Sequence, residues 1–286
     1  MDRFREKVKQ RGTKDCPLSK YHFIKPRKDS LCATIHWHPE FEILHVSEGS
    51  IEVRVETELY TLTPGDICFI PPGKLHGIRS SSDNSIYDAF VFSLDLLTLP
   101  ATHFFQKNLI HPLRAGTHCF PFLLKPDAPP FGTVSQALKQ ISSICVQSPH
   151  YKQVLFCSMV QVFTEMMPYL ESCDNVHTRK GNDAIKECIK YLQTYYADHL
   201  TLPDIAKHVH LHPNYLCTLF REYTGQTVFQ LLILIRIEKA AEALRSENRS
   251  ISEIAAEYGF DNPCYFTKKF KEIIGCTPRQ YAMLHM

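Results

Sequence analysis

With 286 residues, 44% of them hydrophobic and 22% charged, the chain has an ordinary globular make-up and enough length for two cores. The formal charge of +2, with both signs mixed through the C-terminal third, excludes a bulk basic tail, so any nucleic-acid contact must rest on locally placed cations. Eleven cysteines lie singly with no C-x-x-C pair, which argues against a zinc-ligand cluster. They fit reduced thiols in the cytoplasm. The charged N-terminus argues against an export leader, and the most apolar run, Val228 to Ile235, is too short to span a membrane.

Between about residues 20 and 100 the hydrophobic period is two. Ile51, Val53 and Val55 alternate with Glu52, Arg54 and Glu56, and turns at Gly49, Pro64-Gly65 and Pro72-Gly73 punctuate short strands. This pattern predicts an antiparallel barrel or jelly roll. Within it His36, His38, Glu42 and Gly49 follow the spacing H-x-H-x3-E-x6-G, and Gly65, Pro71, Gly73 and His76 follow G-x5-P-x-G-x2-H. The two spacings resemble the paired motifs of cupins, and of AraC-type regulatory cupins in particular, with Ser80 where many cupins carry Asn. The resemblance implies that His36, His38, Glu42 and His76 gather at one pocket. Imidazole and carboxylate suit iron, manganese or nickel, which makes these four the candidates for a metal site. Alternatively they bind a small effector by hydrogen bonds. Because sensory cupins of this kind commonly keep the pattern without metal catalysis, the expectation is an effector site without metal or cofactor. Tyr21, His22 and Phe23 are expected ahead of the first strand, folded over the pocket.

From Phe131 to Leu170 the period becomes helical. Val134, Leu138, Ile141 and Cys145 mark one stripe; Val154, Leu155, Met159, Val162, Phe163 and Met166 mark another. One face of such a pair must be buried on the barrel. A second apolar face would need a partner, and the resemblance to AraC-type regulators implies a homodimer through it, with packing inside the chain as the alternative. Residues 171–182 are polar and aperiodic, as in a linker. A new amphipathic helix is expected after Asn182, with Ile185, Cys188, Ile189, Leu192 and Tyr196 on one face.

Beyond it one pattern occurs twice, about fifty residues apart. Thr201 with Asp204, and Ser250 with Glu253, fit a capping box that opens a short helix. Ile205 and Val209, or Ile254 and Tyr258, form its buried side, and Ala206 or Ala255 allows a second helix to cross closely. Gly259 suits a left-handed turn, where the first copy has His210, and Pro213 or Pro263 starts the next helix. Leu216, Leu219, Phe220 and Tyr223 give the second helix of the first copy its buried face; Phe266, Phe270 and Ile273 do so in the second copy. Opposite lie Asn214, Cys217, Thr218 and Arg221, and Asn262, Cys264, Thr267, Lys268 and Lys271. These residues suit contacts with base edges and phosphates.

Two helix-turn-helix units of this form, the phrase Arg236-Ile-Glu-Lys-Ala240 between them and the closing Gly275-Cys-Thr-Pro-Arg-Gln-Tyr281 resemble the DNA-binding domain of AraC/XylS transcription regulators. The expected architecture is α+β and multidomain. A cupin-like barrel at 1–130, a dimerising helical pair at 131–170 and a linker at 171–182 precede an all-α double helix-turn-helix domain at 183–286. The resemblance implies a cytoplasmic regulator, not an enzyme. Its partners are double-stranded DNA, a small-molecule effector such as a sugar, a second copy of itself and, if it activates, RNA polymerase. No membrane partner is expected. Arg236 is expected to pair with a carboxylate and support the domain. The rival reading is an iron or manganese cupin enzyme with a C-terminal interaction module.

Overall fold

The computed structural model describes residues 18–25, 28, 31–144, 147–173, 176–246 and 249–283. Cys145, expected on the first helical stripe, lies outside them. The chain divides after residue 175 into two compact units. Among the described residues no helix is long and apolar enough to cross a membrane.

The first unit is built on eight main strands: β1 (Leu18–Lys25), β2 (Leu31–His36), β3 (Phe41–Glu48), β4 (Ile51–Val55), β5 (Glu58–Leu62), β6 (Ile67–Ile70), β7 (His76–Ser80) and β8 (Ser85–Phe92). A short helix α1 (His111–Ala115) and two-residue strands β9 (His118–Cys119) and β10 (Leu123–Leu124) follow. The strands form an antiparallel five-stranded sheet, β1-β8-β3-β6-β10, and an antiparallel four-stranded sheet, β2-β7-β4-β5. Leu44, Val46, Cys68, Ile70, Tyr87 and Ala89 from the first sheet share one core with Ile51, Val53, Val55, Leu62 and Ile78 from the second. That shared interior makes the two sheets the walls of one barrel, as the alternation predicts. Tyr21, His22 and Phe23 belong to β1 itself instead of preceding it, and Phe23 stacks on Tyr87 with ring centroids 4.8 Å apart. Pairing along the whole of β8 explains the difference: β1 supplies that edge with a partner.

The middle of the five-stranded sheet is buried on both faces, while β1 at its edge turns Lys20, His22 and Ile24 outward. The sheet's outer residues, Phe41, Ile43, Ile67, Phe69, Phe90 and Phe92, pack with Val134, Leu138 and Ile141 of α2 (Phe131–Ser143) and Leu155, Met159, Val162, Phe163 and Met166 of α3 (Tyr151–Met166). The helical pair thus completes the core of the first unit. Residues 171–182 depart from the expected linker. Glu171–Ser172 form a strand, β11, antiparallel to β9, and helix α4 (Val176–Thr194) has already begun before Asn182. Apolar periodicity reports buried faces only, so polar residues that extend a helix toward its N-terminus leave no such mark.

The second unit is helical. After α4 come α5 (Leu202–His208), α6 (Pro213–Thr224), α7 (Val228–Ser246), α8 (Ile251–Glu257), α9 (Pro263–Ile274) and α10 (Pro278–Met283). Helix α7 packs against α4, α6, α8, α9 and α10. The pairs α5–α6 and α8–α9 repeat one geometry. Ile205 and Ala206, like Ile254 and Ala255, are buried under the helix that follows. His210 and Gly259 hold the same left-handed conformation in the two turns, with φ of 55° and 80°. Gly225 and Gly275, with φ of 70° and 90°, close the two longer helices.

The caps differ in detail. Ser250 and Glu253 form the reciprocal box: the Glu253 amide donates to Ser250 Oγ at 3.2 Å and the Ser250 amide donates to Glu253 Oε2 at 2.9 Å. At α5 the Asp204 amide donates to Thr201 Oγ1 at 3.4 Å, while the Asp204 carboxylate accepts from that same hydroxyl. Aspartate, one methylene shorter than glutamate, ends on the hydroxyl.

Candidate functional site

Two sets of functional side chains follow from this scaffold. In the barrel, Glu42 lies on β3 in the inward-facing series with Leu44 and Val46, and pairs in register with Ile70 of β6. His36 ends β2 opposite His76, which begins β7. His38 follows β2, its backbone carbonyl accepting from the Gly73 amide at 2.8 Å. The sequence-predicted quartet is thereby brought together, with one ligand-type atom from each residue lying within 4.8 Å of the others. Glu42 Oε2 stands 2.9 Å from His38 Nε2 and 3.2 Å from His76 Nε2. Side-chain exposure is 5% for His38, 7% for Glu42 and 1% for His76, while His36 is half-buried.

The electrostatics follow from that crowding. Burial, with help from the neighbouring His76, pushes the His36 imidazole well below its ordinary range. Burial also works to raise the Glu42 carboxyl, but the contacts with His38 and His76 outweigh it and hold the group well below the usual carboxylate range. In the core beneath, burial drives the Cys68 thiol far up and keeps it neutral. His36, His38, Glu42 and His76 are the group of metal-ligand type among the described residues.

The second set lies on α6 and α9. Leu216, Leu219, Phe220 and Tyr223 of α6 are buried, and Asn214, Cys217, Thr218 and Arg221 are exposed on the opposite face. On α9 Phe266, Phe270 and Ile274 are buried. Cys264, Lys268 and Lys271 are exposed and Thr267 is half-exposed. Helical spacing therefore delivers the polar faces the sequence predicts. Asn262 has a structural duty: as the cap of α9 its Oδ1 accepts from the amides of Cys264 at 2.9 Å and Tyr265 at 3.0 Å. Its amide nitrogen is the part left to face outward. His212 caps α6 in the corresponding place.

Two aromatic residues next to these faces escaped the sequence reading. Tyr215 and Tyr265 hold matching positions on α6 and α9 and are 54% and 43% exposed. Their signal is the repeat itself, which places a tyrosine two residues after each starting proline. The expected partner of Arg236 is also different. Its guanidinium donates to three backbone carbonyls, Tyr196 at 2.6 Å, Gly259 at 2.7 Å and Asp198 at 2.9 Å, instead of to a carboxylate. Carbonyls beyond the end of α4 and in the α8–α9 turn lack partners within their own helices, and a planar fork of five N–H groups suits three of them at once.

The comparisons with known proteins match both regions of the chain. The family model of the AraC-like ligand binding domain matches residues 29–99, and that of a helix-turn-helix domain matches residues 205–283; together they cover just over half of the chain. The uncharacterized HTH-type transcriptional regulator YdeC of Bacillus subtilis is 20% identical, over 100% of this chain and 98% of its own length. The arabinose operon regulatory protein of Salmonella typhimurium is 26% identical over 78% of this chain and 76% of its own. Regulatory protein PocR of the same organism is 34% identical over 34% of this chain and 32% of its own. A ligand-binding domain followed by two helix-turn-helix units, aligned through its length with regulators of this kind, places the chain in the AraC/XylS family of DNA-binding transcription regulators.

Proposed function

We propose that the two exposed faces on α6 and α9 read successive major grooves of one promoter and that an effector held at His36, His38, Glu42 and His76 sets how firmly they do so. The repeat carries the reading: two helix-turn-helix units share α7, and each turns a polar, cation-bearing face outward. Base edges are distinguished by paired donors and acceptors, and phosphates by point charge. Thr218 and Arg221 serve the first half-site, and Thr267, Lys268 and Lys271 the second. Asn214, Cys217 and Cys264 border them. Lys269 takes a smaller part, because its ammonium pairs with Glu272 at 2.7 Å and lies over the Tyr265 ring.

The homodimer through the helical pair, RNA polymerase contact in the case of activation, and a sugar or small acid as effector belong to the same reading. Effector and DNA are coupled only if the effector favours one arrangement of the chain over another. The test is a mobility-shift titration on the DNA upstream of the protein's own gene. Arg221→Ala is expected to lose about 10- to 100-fold in affinity and to relax base preference, and Lys271→Ala to weaken all sequences alike and lower the salt slope by about 1. Unchanged specific binding by the double variant would show that these faces do not read DNA.

A further inference from the structure

The first unit closes on a pair of cysteines. Strands β9 and β11 run antiparallel, with Cys119 opposite Glu171 and His118 opposite Ser172. The Cys173 amide donates to the Thr117 carbonyl at 2.8 Å, which adds a third rung and sets Cys173 opposite Thr117. Side chains alternate along a strand, so Cys119 and Cys173 share one face as diagonal neighbours. Their thiols lie within hydrogen-bonding reach of each other. Both are free thiols and half-buried, within reach of small solutes. A disulfide brings two sulfurs to about 2.05 Å, and side-chain rotation with a twist of so short a ladder supplies that approach. Cys68 and Cys188 are instead sealed in cores, and Cys157, Cys217 and Cys264 stand on exposed helix faces.

The place of the pair gives a bond there a defined effect. The first unit ends at residue 175, two residues after Cys173, and α4 begins the helical unit at Val176. Strand β10 and helices α2 and α3 lie between the two cysteines in sequence. A cross-link therefore closes the loop that carries the helical pair and fixes the point where the chain leaves the first unit. Without it that point is held by the backbone bonds of a ladder whose Glu171 and Ser172 are exposed, so it opens at little cost. Burial, with help from the Cys173 thiol, pushes Cys119 up to about 12 and keeps it protonated, which leaves Cys173 to meet an oxidant first.

We propose that Cys119 and Cys173 form a reversible disulfide on exposure to a hydroperoxide, and that this bond changes DNA binding by fixing the exit from the first unit. The Cys173 sulfur attacks hydrogen peroxide, the O–O bond breaks, and one water leaves as the sulfenic acid forms. The Cys119 sulfur then displaces the hydroxyl group, which departs with the Cys119 proton as a second water. Two thiols are oxidised and one peroxide is reduced; a dithiol reverses the bond by exchange.

Full-length protein is reduced, freed of reductant and treated with a slight excess of hydrogen peroxide. Non-reducing peptide mass mapping should join Cys119 to Cys173 with the loss of two hydrogen atoms, and dithiothreitol should restore both thiols. The melting temperature of the first unit should rise by about 5–10 °C on oxidation. Affinity for the upstream DNA, read by fluorescence anisotropy, should differ about fivefold or more between the two forms. Cys119→Ser and Cys173→Ser should each abolish the link and both shifts while binding DNA as reduced wild type does. Circular dichroism identifies which variant is native, and the mapping of wild type needs neither. Folded wild type that yields sulfinic acid at Cys173, or no link between the two cysteines, would overturn the disulfide. A complete link with unchanged DNA affinity would overturn its effect on the helical unit, as would a peroxide-dependent change that survives in Cys119→Ser.

Discussion

Arg236 joins three stretches of chain that are distant in sequence: the segment after α4, its own helix α7 and the turn between α8 and α9. Because each bond ends on a backbone carbonyl, the arginine acts on the path of the chain. Burial lowers its pKa without threatening its charge. Arg236→Ala should cost about 2–4 kcal/mol of stability, since it takes the guanidinium donors from the half-buried Tyr196 and Gly259 carbonyls; urea denaturation of the helical unit measures it. The same guanidinium explains why Gly259 is fixed. A Cβ there would lie 2.8 Å from Arg236 and 2.9 Å from the Ala197 carbonyl oxygen, at a φ of 80° that side chains seldom adopt. His210 carries its side chain in the same conformation, so the matching turn is free of that obstruction. In the barrel, burial lowers the pKa of His45 on β3, Asp88 working against it and Lys139 with it. A folded-state value below the ordinary 6.5 means that the unfolded chain binds more protons between the two values. Stability should therefore rise with pH through that window and fall on acidification, with a lower urea midpoint at about pH 5.5 than at about pH 7.5. His45→Gln should flatten part of this slope.

At the scale of elements, the two helix-turn-helix units were largely legible because caps, turn residues and 3.6-residue spacing are local signals. Pro213, Pro263, Gly225, Gly259 and Gly275 stand at the helix ends their chemistry favours. The unequal boxes are a finer matter. Ser250→Ala should cost about 1 kcal/mol by thermal denaturation, and Thr201→Ala less, since its amide contact is longer. Two features were not legible, and a third was legible only in part. The carbonyl partners of Arg236 depend on how helices meet and carry no side-chain mark in the sequence. The early start of α4 lies in polar residues with no apolar period. The gathering of His36, His38, Glu42 and His76 was readable only through motif spacing, whereas the shared oxygen of Glu42 required coordinates.

Across the whole molecule the cores follow function more closely than sequence boundaries do. The helical pair and the outer face of the five-stranded sheet form one hydrophobic body. A fragment ending near residue 130 would expose Phe41, Phe69 and Phe92 to water. It should aggregate where one ending at Cys173 stays soluble, as light scattering would show. On α3, Phe156 remains 38% exposed beside half-buried Val160, which is the apolar face offered to the proposed second copy. Gel filtration at micromolar concentration should give twice the mass of the chain; a single-chain mass would count against the dimer. Strand β3 gives the first unit a mechanical property. Glu42 points into the barrel, and its immediate neighbours Phe41 and Ile43 point into the helices. From Phe41 to Leu44 the strand is buried on both faces, so a shift of Glu42 toward the histidines would press Phe41 and Ile43 against the side chains of α2 and α3.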